Sequence, residues 1–295
     1  MALNAKTRFP LVLVHGLLGF VRVAGYPYWF GIDSALRRHG VQVFLPRVSA
    51  VHCNELRGEQ LLEQIPAILA SSGVERVHLI GHSQGALTAR YVAARRPEWV
   101  ASVTSVAGPN QGSELADYLQ LKLGLNTPRE RLFRSAIEGV AKLMDRLDRR
   151  DERIRLPQDV LASRQALTQQ GVAAFNAKYP QGLPKVWGGE GPEEVNGVRY
   201  YSWSGTLQPA TDRGRNRFDA SHALCRRLSR CFQIEKGQND GMVGRFSSHL
   251  GKVIRSDYPL DHLDIINQTA GAVGQGIDPV ALFVEHAARL REAGL

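Results

Sequence analysis

The 295-residue chain has three cysteines, Cys53, Cys225 and Cys231. So sparse and odd a set builds no disulfide framework. Cys225 and Cys231 are close enough in sequence to pair, but buried or free thiols are the expectation. Long apolar runs are missing too. The run from Pro10 to Val14 is cut off by His15 and Gly16, and nothing reaches the ~18 apolar residues of a spanning helix, so no transmembrane anchor is expected. The first eight residues lack the apolar centre of a signal peptide. With the thiol usage this predicts a cytoplasmic protein, although a secreted chain relieved of its leader would read the same way. No repeat or low-complexity tract is visible. At 43% hydrophobic and 22% charged residues, wholesale disorder, collagen and coiled coil are excluded.

Arginine is abundant. Lysine and arginine number 37 against 28 acidic residues, a net charge of +9. The excess gathers at Arg37-Arg38, Arg95-Arg96, Arg149-Arg150, Arg213 to Arg217 and Arg226-Arg227. Such patches attract nucleic acid or anionic lipid. No nucleic-acid-binding module surrounds them, so no nucleic-acid partner is expected.

The first third alternates short apolar runs with helical patterns. Leu11–Val14, Val41–Leu45, Val77–Ile80 and Val100–Val106 read as strands. Ile32–His39, closed by Gly40, and Glu55–Ala70, with Leu61, Leu62, Ile65 and Ile68 apolar, read as helices. This alternation predicts an α/β fold with a mostly parallel sheet covered on both faces. Val198–Ser204 reads as a further strand, Cys231–Ile234 as a weak one, and Val280–Arg291 as a helix. From Pro128 to Arg150 runs one amphipathic pattern, with Leu132, Phe133, Ala136, Ile137, Val140, Leu143, Met144 and Leu147 apolar. By pattern alone it is a core-facing helix; the alternative is a mobile lid over a site.

The strongest local signal is Gly81-His82-Ser83-Gln84-Gly85, set between the strand Val77–Ile80 and a helical run from Ala86. Gly-x-Ser-x-Gly between strand and helix puts a serine on a tight turn above the sheet edge. A serine hydroxyl needs a base at neutral pH. On an α/β-hydrolase scaffold acid and histidine follow the serine in that order. Of the downstream histidines, His222, His249, His262 and His286, the loop residue His262 ranks first, paired with the turn residue Asp240. His249 is the main competitor, and His286 reads as a surface position on the last helix. An oxyanion needs two donors. The Gln84 amide at the helix start is one, and the Leu17 amide in the loop His15–Phe20 is the other.

These residues, with Phe9–Gly16, Tyr28–Gly31, Arg57–Leu61, Phe175–Pro180, Tyr200–Gly205, Asn239–Gly241 and Ser247–Gly251, carry a resemblance over nearly the whole chain. The sequence resembles the true lipases of the Pseudomonas and Burkholderia type, bacterial lipase family I. The resemblance implies a single α/β-hydrolase domain over 1–295, with a mostly parallel central sheet, helices on both faces and a helical lid inserted at 126–170. It implies hydrolysis of carboxylic esters, typically long-chain triacylglycerols, with Ser83 as nucleophile, Asp240 as acid, His262 as base, and Leu17 and Gln84 as backbone oxyanion donors. It also implies a structural Ca2+ held by Asp219, Asp264 and the carbonyls of Gln268 and Ala272. A cis peptide after Gln268 and transient contact of the lid with a lipid interface complete the implied set. Three departures stand out. The family's disulfide positions fall on Gly188 and Phe246. The lid segment is unusually charged, as in Asp148 to Arg153. The loop Pro109–Ser113 lacks the family's histidine and basic residue. The charged lid keeps open a shorter-chain esterase or polyester depolymerase on the same scaffold.

Overall fold

The computed structural model describes residues 4–124, 127–148, 156–207, 219–273 and 276–295. The basic stretch Arg213 to Arg217, and Arg149-Arg150 at the end of the amphipathic pattern, lie outside them. In chain order the elements are β1 (Leu11–Val14), β2 (Arg22–Val23), β3 (Tyr26–Pro27), α1 (Ile32–Arg38), β4 (Val43–Phe44), α2 (Asn54–Ser72), β5 (Val77–His82), α3 (Gln84–Arg95), β6 (Val100–Val106), α4 (Glu114–Leu123), α5 (Pro128–Leu147), α6 (Val160–Leu167), α7 (Gln169–Lys178), β7 (Glu194–Val195), β8 (Val198–Gly205), α8 (Ala220–Leu228), β9 (Lys252–Tyr258) and α9 (Pro279–Glu292).

Among the described residues seven strands form one sheet in the order β4-β1-β5-β6-β8-β7, with β9 also paired to β8. Every pairing is parallel except the β7–β8 hairpin. Side chains of a strand point alternately to the two faces, and β1 shows the result. Leu11 and Leu13 join Ile32 and Leu36 of α1 and Phe283 and Leu290 of α9 in one core. Val12 and Val14 join Leu61 and Ile65 of α2 and Ala89 and Val92 of α3 in the other. The fold is thus the three-layered α/β arrangement that the alternating sequence predicts. Among the described residues no helix is long and apolar enough to cross a membrane.

Local signals set most helix boundaries. Gly40, at φ 80, ends the first helical turn run with a left-handed residue. Thr127 caps α5 by accepting the Glu130 amide at 3.1 Å, and Pro128 follows at the first helical position. Asp278 and Pro279 do the same for α9.

Several sequence expectations are corrected. His286 is not a surface residue: it is fully buried on α9 and its Nε2 lies 2.8 Å from Thr104 Oγ1. α5 is not simply core-facing. Ala141 is buried beside Phe133 and Ile137, but Leu132, Val140, Leu143 and Leu147 are exposed on a separate stripe. Lys252–Tyr258, not anticipated, is a strand whose charged residues face solvent at the sheet edge. Cys231–Ile234 is not one. A short 3-10 turn spans Ser229–Cys231, and the Glu114 carboxylate then accepts the amides of Gln233, Ile234 and Glu235 at 2.6, 2.8 and 2.9 Å. Donors taken by a carboxylate cannot enter a strand ladder. All three cysteines are free.

Glu235 itself is buried, and its carboxylate accepts the Phe246 and Ser247 amides at 2.5 and 3.3 Å. Burial first, and then the charges of Glu114 and Asp240, push its carboxyl up to about 7, against the pull of those two amides. The folded value exceeds the unfolded one of about 4.3, so the stability it contributes is full below that value and lost as pH rises through about 7. Glu235→Gln cannot ionise. Its urea midpoint, compared with that of the parent chain, should gain between pH 5 and pH 8; a difference between the two proteins that does not change with pH contradicts this assignment.

Candidate active site

β5 ends at His82 and α3 begins at Gln84, so Ser83 alone makes the turn. It sits at φ 55, ψ -128, a region that side chains with a Cβ occupy only under constraint. Its amide donates to Val106 O at 2.9 Å. The flanking glycines make the turn sterically feasible. A Cβ on Gly81 would lie 2.2 Å from Gly85 O, and one on Gly85 would lie 2.2 Å from Val14 O. The serine is half-buried, and among the described residues no side chain engages its hydroxyl.

The loop after β1 presses on this turn: a Cβ on Gly16 would come within 2.8 Å of Ser83 Cβ. Within the loop, the Gly16 amide donates to Tyr28 Oη at 3.0 Å and the Leu18 amide to Ala50 O at 2.8 Å. The Leu17 amide between them has no acceptor among the described residues, and Leu18 is strained at φ 52. The Gln84 amide occupies the first position of α3, where no intrahelical acceptor exists. Its side chain is buried and donates to His52 O at 2.8 Å and Asn54 Oδ1 at 3.0 Å. The two segments expected to supply donors therefore both adjoin the serine, through Gly16 on one side and Gln84 on the other.

Sequence reasoning missed the residue that holds the loop. Arg57 is fully buried, and its guanidinium donates to His15 O at 2.6 Å, to Gly16 O at 3.4 Å, to Ser49 O and, through Nε, to Thr88 Oγ1 at 3.2 Å. Burial lowers its pKa to about 10, so it stays charged at neutral pH. Desolvating a charge costs several kcal/mol; only a full set of acceptors offsets that. A signal was available: Arg57 lies on the same helical stripe as Leu61, Ile65 and Ile68.

Asp240 and His262 meet beyond the ends of β8 and β9. The Asp240 Oδ1 accepts the Met242 and Val243 amides at 2.9 and 2.7 Å, and its Oδ2 lies 2.7 Å from His262 Nδ1. The His262 amide donates back to Asp240 O at 3.1 Å. Both side chains are buried, at 1% and 3% exposure. With Nδ1 committed to the carboxylate, Nε2 is the nitrogen left to accept a proton. His262 stands next to the serine turn: its ring centroid is 4.7 Å from that of His82, whose Nε2 is 2.9 Å from His262 O. His249 is elsewhere, with Nδ1 2.9 Å from Gly189 O and its ring on Phe246.

On the other side of His262 lies a second acidic group. Asp219 caps α8, its Oδ1 accepting the Ser221 amide at 2.8 Å. His222 Nδ1 is 2.7 Å from Asp261 Oδ2, and donor atoms of His222, Asp261 and Asp264 lie within 4.8 Å of one another. Among the described residues the Oδ2 atoms of Asp219 and Asp264 are buried without a hydrogen-bond partner. Burial, and then the charges of Asp261 and Asp219, push the Asp264 carboxyl well above the usual carboxylate range. Of the expected carbonyl ligands, that of Gln268 accepts the Tyr26 hydroxyl and that of Ala272 lies 3.4 Å from Thr269 Oγ1. No cis peptide occurs among the described residues, contrary to expectation at Gln268. The chain turns there through Asn267 and Ala270, both at φ 56. Gly188 and Phe246 do face each other: a Cβ on Gly188 would sit 3.3 Å from the Phe246 ring, which fills the place of a bridge.

Comparison with known proteins bears on the fold and the family. A family described as the alpha/beta hydrolase fold matches residues 10–219. The chain is 52% identical over 293 residues to a triacylglycerol lipase of Pseudomonas fragi, covering 99% of each. It is 45% identical over 291 residues to a triacylglycerol lipase of Vibrio cholerae, covering 98% of this chain and 90% of that one. Among solved structures, Staphylococcus hyicus lipase superposes with a TM-score of 0.64 at 21% identity, over 98% of both chains. Mature Bacillus licheniformis lipase BlEst2 superposes at 0.59 and 18%, over 90% of this chain and 88% of that one. At such identities these two structures speak for the fold.

Proposed function

The chain belongs to the bacterial triacylglycerol lipases of the α/β-hydrolase fold, and on that premise we propose that it hydrolyses triacylglycerol-type esters through an acyl-enzyme on Ser83. The observation that carries this reading is the buried Asp240–His262 pair at 2.7 Å, anchored beside the serine turn by His82. His262 Nε2 takes the Ser83 proton as Oγ attacks the ester carbonyl. Asp240 holds the imidazole in the tautomer that accepts at Nε2 and stabilises the imidazolium. The Leu17 and Gln84 amides receive the oxyanion, each such donor typically contributing about 10²–10³ in rate. The imidazolium then gives its proton to the leaving alcohol, and water attacks the acyl-enzyme by the same route.

Residues around the base fit a calcium ion. Two buried carboxylate oxygens without partners among the described residues, on Asp219 and Asp264, are costly unless a cation meets them, and oxygen donors suit a hard cation. Asp219, Asp264 and the carbonyls of Gln268 and Ala272 are the proposed ligands. Bound Ca2+ supplies positive charge that neutralises the carboxylates. Because Asp264 follows His262 by two residues, this group stiffens the loop that carries the base.

α5 is proposed as the lid. Its inner residues Phe133, Ile137 and Ala141 pack with Leu18, Ala50 and Val51, over the oxyanion loop. Its outer stripe, Leu132, Val140, Leu143 and Leu147, is exposed, which suits transient contact with an aggregated ester substrate.

Two outcomes are expected. Ser83→Ala should abolish turnover of a p-nitrophenyl ester, by a factor of order 10⁶, with an unchanged melting temperature; near-parental turnover contradicts the assignment. Excess chelator should lower the melting temperature, and added Ca2+ should restore it, because a ligand bound only by the folded state stabilises that state. A melting temperature indifferent to both rules out the calcium assignment while leaving the serine chemistry intact.

A further inference from the structure

Two buried polar side chains beside Ser83 have no role in the reaction above: Tyr28 and His82. We propose that His82, together with Tyr28, is a positioning residue that ties the loop bearing the Leu17 amide to the backbone of His262 through one unbroken hydrogen-bond chain. This rests on the assignment of Ser83, His262 and Leu17 given above.

The direction of every link follows from its two ends. At one end the Gly16 amide can only donate, and it donates to Tyr28 Oη at 3.0 Å. At the other end the His262 carbonyl can only accept, and His82 Nε2 faces it at 2.9 Å, so Nε2 carries the hydrogen. Burial, and then the neighbouring His262, drive the His82 pKa well below its ordinary value, so the ring is neutral and has a single N–H. Nδ1 is therefore bare, and it accepts the hydroxyl hydrogen of Tyr28 at 2.7 Å. Burial raises the Tyr28 pKa, which keeps that hydrogen in place. The chain reads Gly16 N–H to Tyr28 O–H to His82 Nδ1, then His82 Nε2–H to the carbonyl of His262. No donor is left over, and reversing the imidazole tautomer would leave both the Tyr28 hydrogen and the His262 carbonyl without their partners.

The ring cannot swing out of this position. Tyr28, Trp29 and His262 surround it with ring centroids at 5.8, 6.2 and 4.7 Å. Tyr28 and His82 are 3% and 1% exposed, so neither is offered to substrate. His82 is also the residue before Ser83. A single side chain thus fixes, relative to the nucleophile, both the segment that receives the oxyanion and the segment that carries the base. Loosening it displaces two reacting groups at once, and small misplacements of such groups are expensive in rate.

The test uses the full chain with Tyr28→Phe, His82→Phe, the double variant, and His82→Gln, whose amide offers both an acceptor and a donor. Urea midpoints, kcat and KM on a soluble p-nitrophenyl ester, and the rate of Ser83 labelling by a fluorophosphonate are measured for each. Tyr28→Phe and His82→Phe should each lower kcat by about 10- to 100-fold with KM within about twofold of the parent. The double variant should fall no further than the worse single one, since both break the same chain, and His82→Gln should recover part of the loss. If His82→Phe does not fold, Tyr28→Phe, which deletes one oxygen, decides alone. A folded Tyr28→Phe with parental kcat and labelling rate overturns the proposal, as do losses that multiply in the double variant. If the parent chain itself is not labelled on Ser83, the reading of the site fails; if it is labelled and Tyr28→Phe is labelled equally fast, only the tie fails.

Discussion

The close approach of backbone to backbone at the end of β5 is the constraint on which the site depends. Gly85 lies against the last residue of β1, and Gly81 against Gly85, at separations that no Cβ permits. This lets α3 start immediately after the strand and leaves Ser83 at a positive φ, with its hydroxyl disengaged. The same approach brings the loop after β1 against the serine, beside the start of α3. The strain of one residue is held by the parallel sheet, whose two apolar cores fix β1, β5 and β6 in register.

The electrostatic design of the surroundings is unequal on the two sides of His262. On one side Asp240 has every oxygen committed, to two amides and to the imidazole. On the other, Asp219 and Asp264 each keep a buried oxygen without a partner among the described residues. The first arrangement is complete as a device for orienting a base. The second is uncompensated, and it is the reason a cation is proposed there. Buried charge of the opposite sign occurs at the loop of β1, where Arg57 holds carbonyls that would otherwise face a low-dielectric interior.

What was legible in the sequence follows from how local each signal is. Leu11–Val14 and Val100–Val106 could be read because central parallel strands are buried on both faces. β9 could not, because an edge strand carrying Lys252, Arg255 and Asp257 has no apolar run to betray it. Cys231–Ile234 looks like a strand only if its amides are free, and Glu114, more than a hundred residues earlier, takes them. The serine turn is visible within five residues, since its glycines are there for a local steric reason. Asp240 and His262 had to be ranked by chain order and resemblance, and the structure brings the two together. Arg57, Tyr28 and His82 escaped because their partners lie on distant segments and include backbone groups, and no sequence pattern announces a carbonyl. The position of Arg57 on an apolar stripe was the one clue.

The most direct test of the account is a crystal structure of the chain phosphonylated by a fluorophosphonate, in which the phosphonyl oxygen mimics the oxyanion. The account predicts covalent attachment to Ser83 Oγ. It also predicts that the phosphonyl oxygen lies within hydrogen-bond reach of the Leu17 and Gln84 amides, and that His262 Nε2 turns toward the modified serine while Nδ1 remains on Asp240. Attachment at another residue, or an imidazole of His262 pointing away from the adduct, would contradict it.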